Sequence, residues 1–148
     1  MGKLLLILGV SMLISSCGLK NSSESFKEEK ALRVEFVGTT TPTISNTKGK
    51  ATLFAVAANL ADAAATEIAV ADFDAKAIPF NVDFELPKDY LKLIKPEVTK
   101  GDSVKYYVAI EWDSNADGKI EEGDVMIDFD KQFPHVQLGK QTQQVFVK

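Results

Sequence analysis

The sequence predicts an all-β protein, a single antiparallel β-sandwich of about seven short strands with an immunoglobulin-like or transthyretin-like arrangement and at most one short helical turn. Three observations support this fold class. Apolar and polar residues alternate along several short stretches, as they do in half-buried strands. Turn-forming residues separate these stretches. Residues 31–148 have the length of one domain and show no internal repeat.

Residues 1–16 are predicted to be a lipoprotein signal peptide. The apolar run over residues 4–14 is shorter than the ~20 residues that a membrane-spanning helix needs. The segment Ile14–Cys17 resembles the lipobox of bacterial lipoproteins, which implies cleavage before Cys17 and its modification by diacylglycerol and palmitate. Cys17 is the only cysteine of the chain, and lipidation accounts for it. The alternative is an ordinary signal peptide that happens to contain a cysteine.

The polar, serine-rich residues after the signal peptide favour a flexible tether, so 17–30 is predicted to join the lipidated cysteine to a domain at 31–148. Gly18 follows the cysteine where inner-membrane lipoproteins often have Asp, which by resemblance indicates the outer membrane, facing the periplasm. Loss of Lys3 with the signal peptide changes the net charge from −4 to −4 − 1 = −5. This acidity argues against nucleic acid as a partner.

The strands can be assigned in chain order from the apolar periodicity. In "IPFNVDFELP" the apolar side chains from Phe80 to Leu86 alternate with polar ones, and "VKYYVAIEW" repeats the pattern up to Trp112. The full set of predicted strands is 31–38, 51–58, 66–73, 78–87, 104–112, 125–129 and 143–147.

Two stretches are less regular. The alanine-rich residues 57–71 favour a helix by intrinsic propensity, but β-branched residues at alternate positions favour a strand, and we predict a turn near 59–65 followed by a strand. Residues 87–96 lie between two prolines and can hold only a helical turn or two.

The order of these stretches is similar to that of the YbaY/YscW family, small bacterial β-sandwich lipoproteins. The matching stretches are Leu60–Ala63, Ile78–Pro87 and Tyr107–Ile110, within about residues 50–113. Some members act as pilotins for the outer-membrane ring of type III secretion systems, so the resemblance implies a β-sandwich fold and an envelope protein as partner. The chain departs from the family pattern by inserting an acidic loop after the third stretch.

That acidic loop, "DSNADGKIEEGD" at residues 113–124, resembles the calcium loops of EF-hands and dockerins. Gly118 occupies the sixth place, where such a loop turns sharply, and Ile120 is expected to pack into the domain. The predicted ligands of one structural Ca²⁺ ion are the side chains of Asp113, Asn115, Asp117 and Asp124 and the backbone carbonyl of Lys119. The alternative is a metal-free hairpin loop in which Asp and Asn cap their own turns.

The sequence favours a non-catalytic binding or assembly module over an enzyme. His135 is the only histidine, and it lies among apolar residues without a nucleophile motif elsewhere in the chain. The alternative is a carbohydrate-binding module or a small envelope enzyme that uses Trp112, Tyr106 and Tyr107 as a ligand platform. An exposed Trp112 would favour this alternative, whereas a buried Trp112 would favour the interaction module.

Overall fold

The computed structural model describes residues 30–39, 41–59, 62–99, 101–139 and 141–148. Seven strands form two sheets, and one 3-10 helix (Tyr90–Leu93) lies between the fourth and fifth strands. This confirms the predicted all-β sandwich and the short helical turn. The strands are β1 (Lys30–Gly38), β2 (Lys48–Ala57), β3 (Thr66–Asp74), β4 (Phe80–Glu85), β5 (Val104–Glu111), β6 (His135–Val136) and β7 (Thr142–Val147). The predicted signal peptide, Cys17 and the tether before Lys30 lie outside the described residues.

The two sheets differ in size. A three-stranded sheet has the order β4-β1-β7, and a four-stranded sheet has the order β3-β2-β5-β6. The pairs within these sheets are antiparallel except β1 and β7, which run parallel. In the ranges that the structure describes, no helix is long and apolar enough to cross a membrane.

The C-terminal third differs from the sequence-based assignment. Residues 125–129 do not form a separate strand, although part of this segment pairs antiparallel with residues 146–148. Met126 and Lys148 exchange two backbone hydrogen bonds of 2.9 and 3.0 Å, and the N–H of Asp128 donates to the carbonyl of Phe146 at 2.9 Å. The stretch ends early because the Asp128 carboxylate accepts a hydrogen bond from the backbone N–H of Lys131 and so closes a turn. The two-residue strand β6 was not predicted, since so short a stretch carries no periodicity.

The core lies between the sheets and is filled by alternate residues of the facing strands, as the period of two predicts. Phe80, Val82 and Phe84 of β4 are buried, while Asn81 and Glu85 between them are exposed. The same alternation buries the β1 side chains Leu32, Val34 and Phe36, which pair across the ladder with Phe84, Val82 and Phe80. From the other sheet, Leu53, Val108 and Trp112 complete the layer.

A glycine on the inner face of β2 makes room for an aromatic side chain of the core. Gly49 lies directly opposite Phe73 in the β2–β3 ladder. A Cβ atom at Gly49 would stand 2.3 Å from Cζ of the Phe73 ring, closer than any real contact. The ring has little freedom to move because it packs against Phe80 and Trp112, with centroid distances of 4.8 and 5.2 Å.

We therefore expect Gly49→Ala to lower the free energy of unfolding by about 1–3 kcal/mol, the usual cost of overpacking a filled core. Lys50→Ala, on the exposed face of the same strand, is the matched control and should change stability by no more than about 0.5 kcal/mol. Urea denaturation of the mature chain measures both values. Equal stability of Gly49→Ala and the parent would mean that Phe73 does not cover this glycine.

Candidate metal-binding loop and exposed sheet face

The first half of the acidic loop is held by hydrogen bonds from its own backbone to its acidic side chains. The Asp113 carboxylate accepts from the N–H of Asp117 at 3.1 Å and of Gly118 at 3.0 Å. Asn115 Oδ1 accepts from Asp117 N at 2.8 Å, and Asp117 Oδ1 accepts from Lys119 N at 2.9 Å. Gly118 has a φ of 87°, the left-handed conformation that the calcium-loop pattern requires at its sixth place. The structure thus brings Asp113, Asn115 and Asp117 together in one coiled segment.

The last residue of the loop, Asp124, has a different environment. Its side chain is only 7% exposed, and its carboxylate accepts hydrogen bonds from the Ser114 hydroxyl and from the N–H groups of Asn115 and Glu121 at 3.0–3.1 Å. The Ser114 hydroxyl oxygen in turn accepts from the N–H of Val125 at 2.9 Å. These bonds tie the two ends of the loop together.

Burial acts to raise the pKa of the Asp124 carboxyl, but the hydrogen bonds from Glu121, Asn115 and Ser114 stabilise its charged form more strongly. The net effect is a pKa below the ordinary value of 3.8. The role of Ser114 was not predicted from the sequence, because nothing in the residue pattern distinguishes a buried hydroxyl from an exposed one. A serine next to the first place of the loop was the only available signal.

Within the described residues, no group of three or more Asp, Glu, His or Cys side chains is already arranged around a common point that could hold a metal ion. The described bonds between Asn115, Asp117 and Lys119 are the Asx turns of the metal-free alternative. They do not occupy the loop's oxygens fully, because a carboxylate oxygen that accepts one hydrogen bond keeps a second lone-pair direction. Ile120 does not pack into the domain as expected, and its side chain is 54% exposed.

The three aromatic residues of the predicted ligand platform are not brought together. Trp112 is 1% exposed, packs against Phe73 and Phe80, and donates from Nε1 to the carbonyl oxygen of Asn46 at 2.7 Å. Tyr106 and Tyr107 are adjacent on β5, so their side chains lie on opposite faces of the sheet. A platform that includes Trp112 is therefore wrong, because a ring inside the core offers no free face to a ligand.

Tyr106 lies at the edge of the core beside a cleft of about 610 Å³. Partial burial and a hydrogen bond with Tyr90 raise the pKa of the Tyr106 phenol well above its ordinary value. The Tyr106 phenol therefore remains a neutral hydrogen-bonding group at physiological pH. The remaining lining consists mainly of Val104, Val136 and Leu138 and of polar side chains of β6 and β7.

The outer faces of the two sheets differ in polarity. The outer face of the three-stranded sheet is mainly polar: Arg33 forms a bidentate ion pair with Asp83 at 2.6 and 2.9 Å, and Gln144 donates to Glu35 at 2.9 Å. In a two-layer sandwich this is the expected outcome for a face in contact with water. Val37 and Phe146 are half-buried on the same face, where the Lys131 ammonium lies 5.2 Å from the centroid of the Phe146 ring.

The outer face of the four-stranded sheet instead carries a row of aromatic rings. Phe54 of β2 stacks on Tyr107 of β5 at a centroid distance of 5.3 Å, Tyr107 contacts Phe133 at 5.7 Å, and Phe133 contacts Phe129 at 6.0 Å. Phe129 and Phe133 are 60% and 47% exposed. We call these four residues the aromatic surface; the ring of His135 lies beside it, 4.4 Å from Phe133.

Most of the aromatic surface was not predicted from the sequence. Phe129 is the last residue of the predicted strand 125–129, Phe133 lies in a segment without periodicity, and the pairing of Phe54 with Tyr107 depends on the β2–β5 register, which a single sequence does not reveal. The rings are stacked or tilted against one another and so cover part of each other's faces. Exposed aromatic rings such as Phe129 and Phe133 offer a large apolar area to the side chains of a partner.

No protein-family model matches the chain, and no curated protein matches it. Among solved structures, the chain is similar to an alternative pilotin from the type II secretion system of Vibrio cholerae, with 15% sequence identity and a TM-score of 0.41. The similarity covers 80% of this chain and 96% of the pilotin chain. At this identity and TM-score the similarity carries no conclusion about function. Membership of the YbaY/YscW family remains a prediction.

The hydrogen bonds to Asp124 predict a pH-dependent contribution to stability. Because the pKa of Asp124 is lower in the folded state than the ordinary 3.8, this contribution is complete above that value and is lost as pH falls through the folded pKa. We expect Asp124→Asn to lower the free energy of unfolding by about 1–3 kcal/mol at neutral pH, and by less in strong acid. Urea denaturation with chelator at several pH values measures this difference.

The exposed Glu122→Gln is the matched control for Asp124→Asn and should have little effect at any pH. A cost of Asp124→Asn that is the same at every pH would show that the charge of Asp124 does not stabilise the loop.

Proposed function

We propose that the protein is a non-catalytic binding or assembly module of the bacterial cell envelope, anchored by lipid on Cys17 in the outer membrane and facing the periplasm. We further propose that a protein of the envelope binds to the aromatic surface. One observation carries the proposal: one outer face of the sandwich is mainly polar, and the other exposes a row of neighbouring aromatic rings.

The aromatic surface has the composition of a protein-binding site. The largest exposed apolar patch of an ordinary monomer, roughly 300–600 Å², is often functional, whereas single exposed apolar residues need no explanation. Aromatic residues are enriched among the side chains that dominate binding energy, and a polar rim usually surrounds them. Here Lys105 lies two residues before Tyr107 on the same face of β5, and Lys148 pairs with Asp130, the residue after Phe129, at 2.6 Å, so charged groups flank the rings.

The proposed anchor rests on the lipobox-like sequence at Ile14–Cys17 and on the absence of any other cysteine in the chain. Two or more acyl chains on one residue are sufficient for stable attachment to a bilayer. A polar tether before β1 would leave the sandwich free to meet a partner near the membrane.

The acidic loop is proposed to hold one structural Ca²⁺ ion. Its oxygen ligands and the lack of Cys or His in the loop suit a hard divalent cation better than a transition metal. The left-handed Gly118 and the convergence of Asp113, Asn115 and Asp117 support this proposal. Asp124 Oδ1 already accepts from Ser114 and Asn115, so Asp124 would join such a site through Oδ2, which accepts a described hydrogen bond only from Glu121.

The partner proposal is tested by photocrosslinking from single positions in intact cells. A benzoylphenylalanine at position 133 should form an adduct with an envelope protein, because Phe133 is in the middle of the aromatic surface. The same group at position 81, exposed on the polar face, is the control and should form none. Adducts at neither position, or equally at both, would contradict the proposal that this face binds a partner.

The calcium proposal predicts that the metal stabilises the folded domain. Extracellular calcium modules often have a Kd of roughly 10⁻⁴–10⁻³ M, so millimolar calcium should add about 0.4–1.4 kcal/mol to the free energy of unfolding. This corresponds to a rise in melting temperature of roughly 2–8 °C. Thermal melts with calcium and with chelator measure the difference.

Asp117→Ala should abolish this response to calcium, whereas Glu122→Ala, outside the predicted ligand places, should keep it. In the metal-free alternative, neither the parent nor the two variants respond to calcium, whatever the loss of the Asp117 carboxylate does to the stability without metal. Identical melting curves of the parent protein in calcium and in chelator would rule out a stabilising calcium site.

A further inference from the structure

On the outer face of the four-stranded sheet, a row of short side chains lies between two rows of longer ones, and we call this row with its two borders the trough. Its floor is one row of small or β-branched residues: Thr52 of β2 lies between Val70 of β3 and Ala109 of β5 in the ladders. Side chains at these positions share a face because they are directly opposite one another across neighbouring strands. Thr52 is buried, while Val70, at the edge strand, is 45% exposed.

The rows on either side of this floor differ in chemistry. Phe54, two residues after Thr52 on β2, pairs with Tyr107, so this side of the trough is the aromatic surface. Lys50, two residues before Thr52, lies between Asp72 of β3 and Glu111 of β5, and these three residues form a charged row on the other side of the trough. The charged row continues into a groove of about 690 Å³ that Lys48, Asp74 and Ile120 also line.

We propose that this trough binds one amphipathic segment of a partner protein, with apolar side chains against the aromatic surface and lysine or arginine side chains against Asp72 and Glu111. This inference rests on the proposed function and specifies the chemistry of its partner. It names no particular protein, since only the apolar and cationic sides of the segment follow from the trough.

The size of the exposed apolar area favours a single segment over a second copy of the chain. Phe129 and Phe133 are about half exposed, and an aromatic side chain can bury roughly 150–250 Å². Together with Val70 they offer about 250–350 Å², well below the ~800 Å² that each partner contributes to a stable interface between globular proteins. One helix or strand of a partner fits an area of this size.

The charge of the trough determines which segment is preferred. Two carboxylates flank the single Lys50 in the charged row, and in the adjoining groove Asp74 lies opposite Lys48 in the β2–β3 ladder. The exposed acids of the 113–124 loop begin two residues beyond the end of β5. Excess negative charge attracts a cationic segment and repels an anionic one, and it also disfavours a second copy of this acidic chain.

Fluorescence anisotropy with two labelled peptides tests the inference on the mature protein. One peptide is an amphipathic leucine–lysine helix of about four turns, and the other has glutamate in place of every lysine. The lysine peptide should bind and the glutamate peptide should not. Phe133→Ser should weaken binding by about tenfold or more, and Glu111→Lys by about fivefold.

Glu85→Lys, a charge reversal at an exposed position of the other sheet, is the matched control and should leave the affinity unchanged. The inference would be overturned if the two peptides bound equally, if the lysine peptide did not bind, or if Glu85→Lys and Glu111→Lys had equal effects on the affinity. Such a result together with a crosslink from position 133 would leave the proposed function intact. Loss of that crosslink would remove the proposed function as well.

Discussion

The arrangement of this sandwich depends on the burial of one indole ring at the end of β5. Trp112 packs edge-on against Phe73 of one sheet and Phe80 of the other, with centroid distances of 5.2 and 5.5 Å, and so joins the two layers. Its Nε1–H donates to the carbonyl of Asn46, so the buried indole leaves no polar atom unsatisfied. A large ring with all its contacts made is costly to displace, and the position of β5 follows from it.

The position of Trp112 determines where the acidic loop begins. The segment before β2 binds the loop's first residues: Asn46 Nδ2 donates to the carbonyl of Asp113 at 2.9 Å, and the N–H groups of Ser45 and Asn46 donate to the carbonyl of Ser114. At the far end of the loop, the Asp124 carboxylate accepts a hydrogen bond from the Ser114 hydroxyl and so holds the end of the loop against its beginning. An exposed, highly charged loop is thus attached to the core at both ends. The segment that carries Phe129 and Phe133 follows Asp124 in the chain and therefore begins at this attachment to the core.

The sequence predicted the features that depend on neighbouring residues in the chain, such as the buried face of a strand. It did not predict the features that depend on how the strands pair. Alternation along β4 and β5 correctly identified the buried faces, because a period of two admits only one orientation toward the core. The same alternation placed Trp112 on the inner face of the sheet, and this position is incompatible with the alternative in which Trp112 belongs to an exposed ligand platform. The loop spacing indicated Asp124 as a metal ligand, but its hydrogen bonds to Ser114 and Glu121 depend on how the loop closes in three dimensions. The aromatic surface combines residues from distant parts of the chain and carries no local signal.

The claim that Trp112 is buried between the sheets is tested most directly by hydrogen exchange of its indole N–H, followed by NMR. Trp112 is the only tryptophan in the chain, so the spectrum contains one indole signal and its assignment is unambiguous. The hydrogen bond to Asn46 and the surrounding core predict exchange at least ~10³-fold slower than in an unfolded chain, because only a large opening of the sandwich exposes the group. Exchange at the rate of a free indole would contradict the account, since it would place Trp112 at the surface.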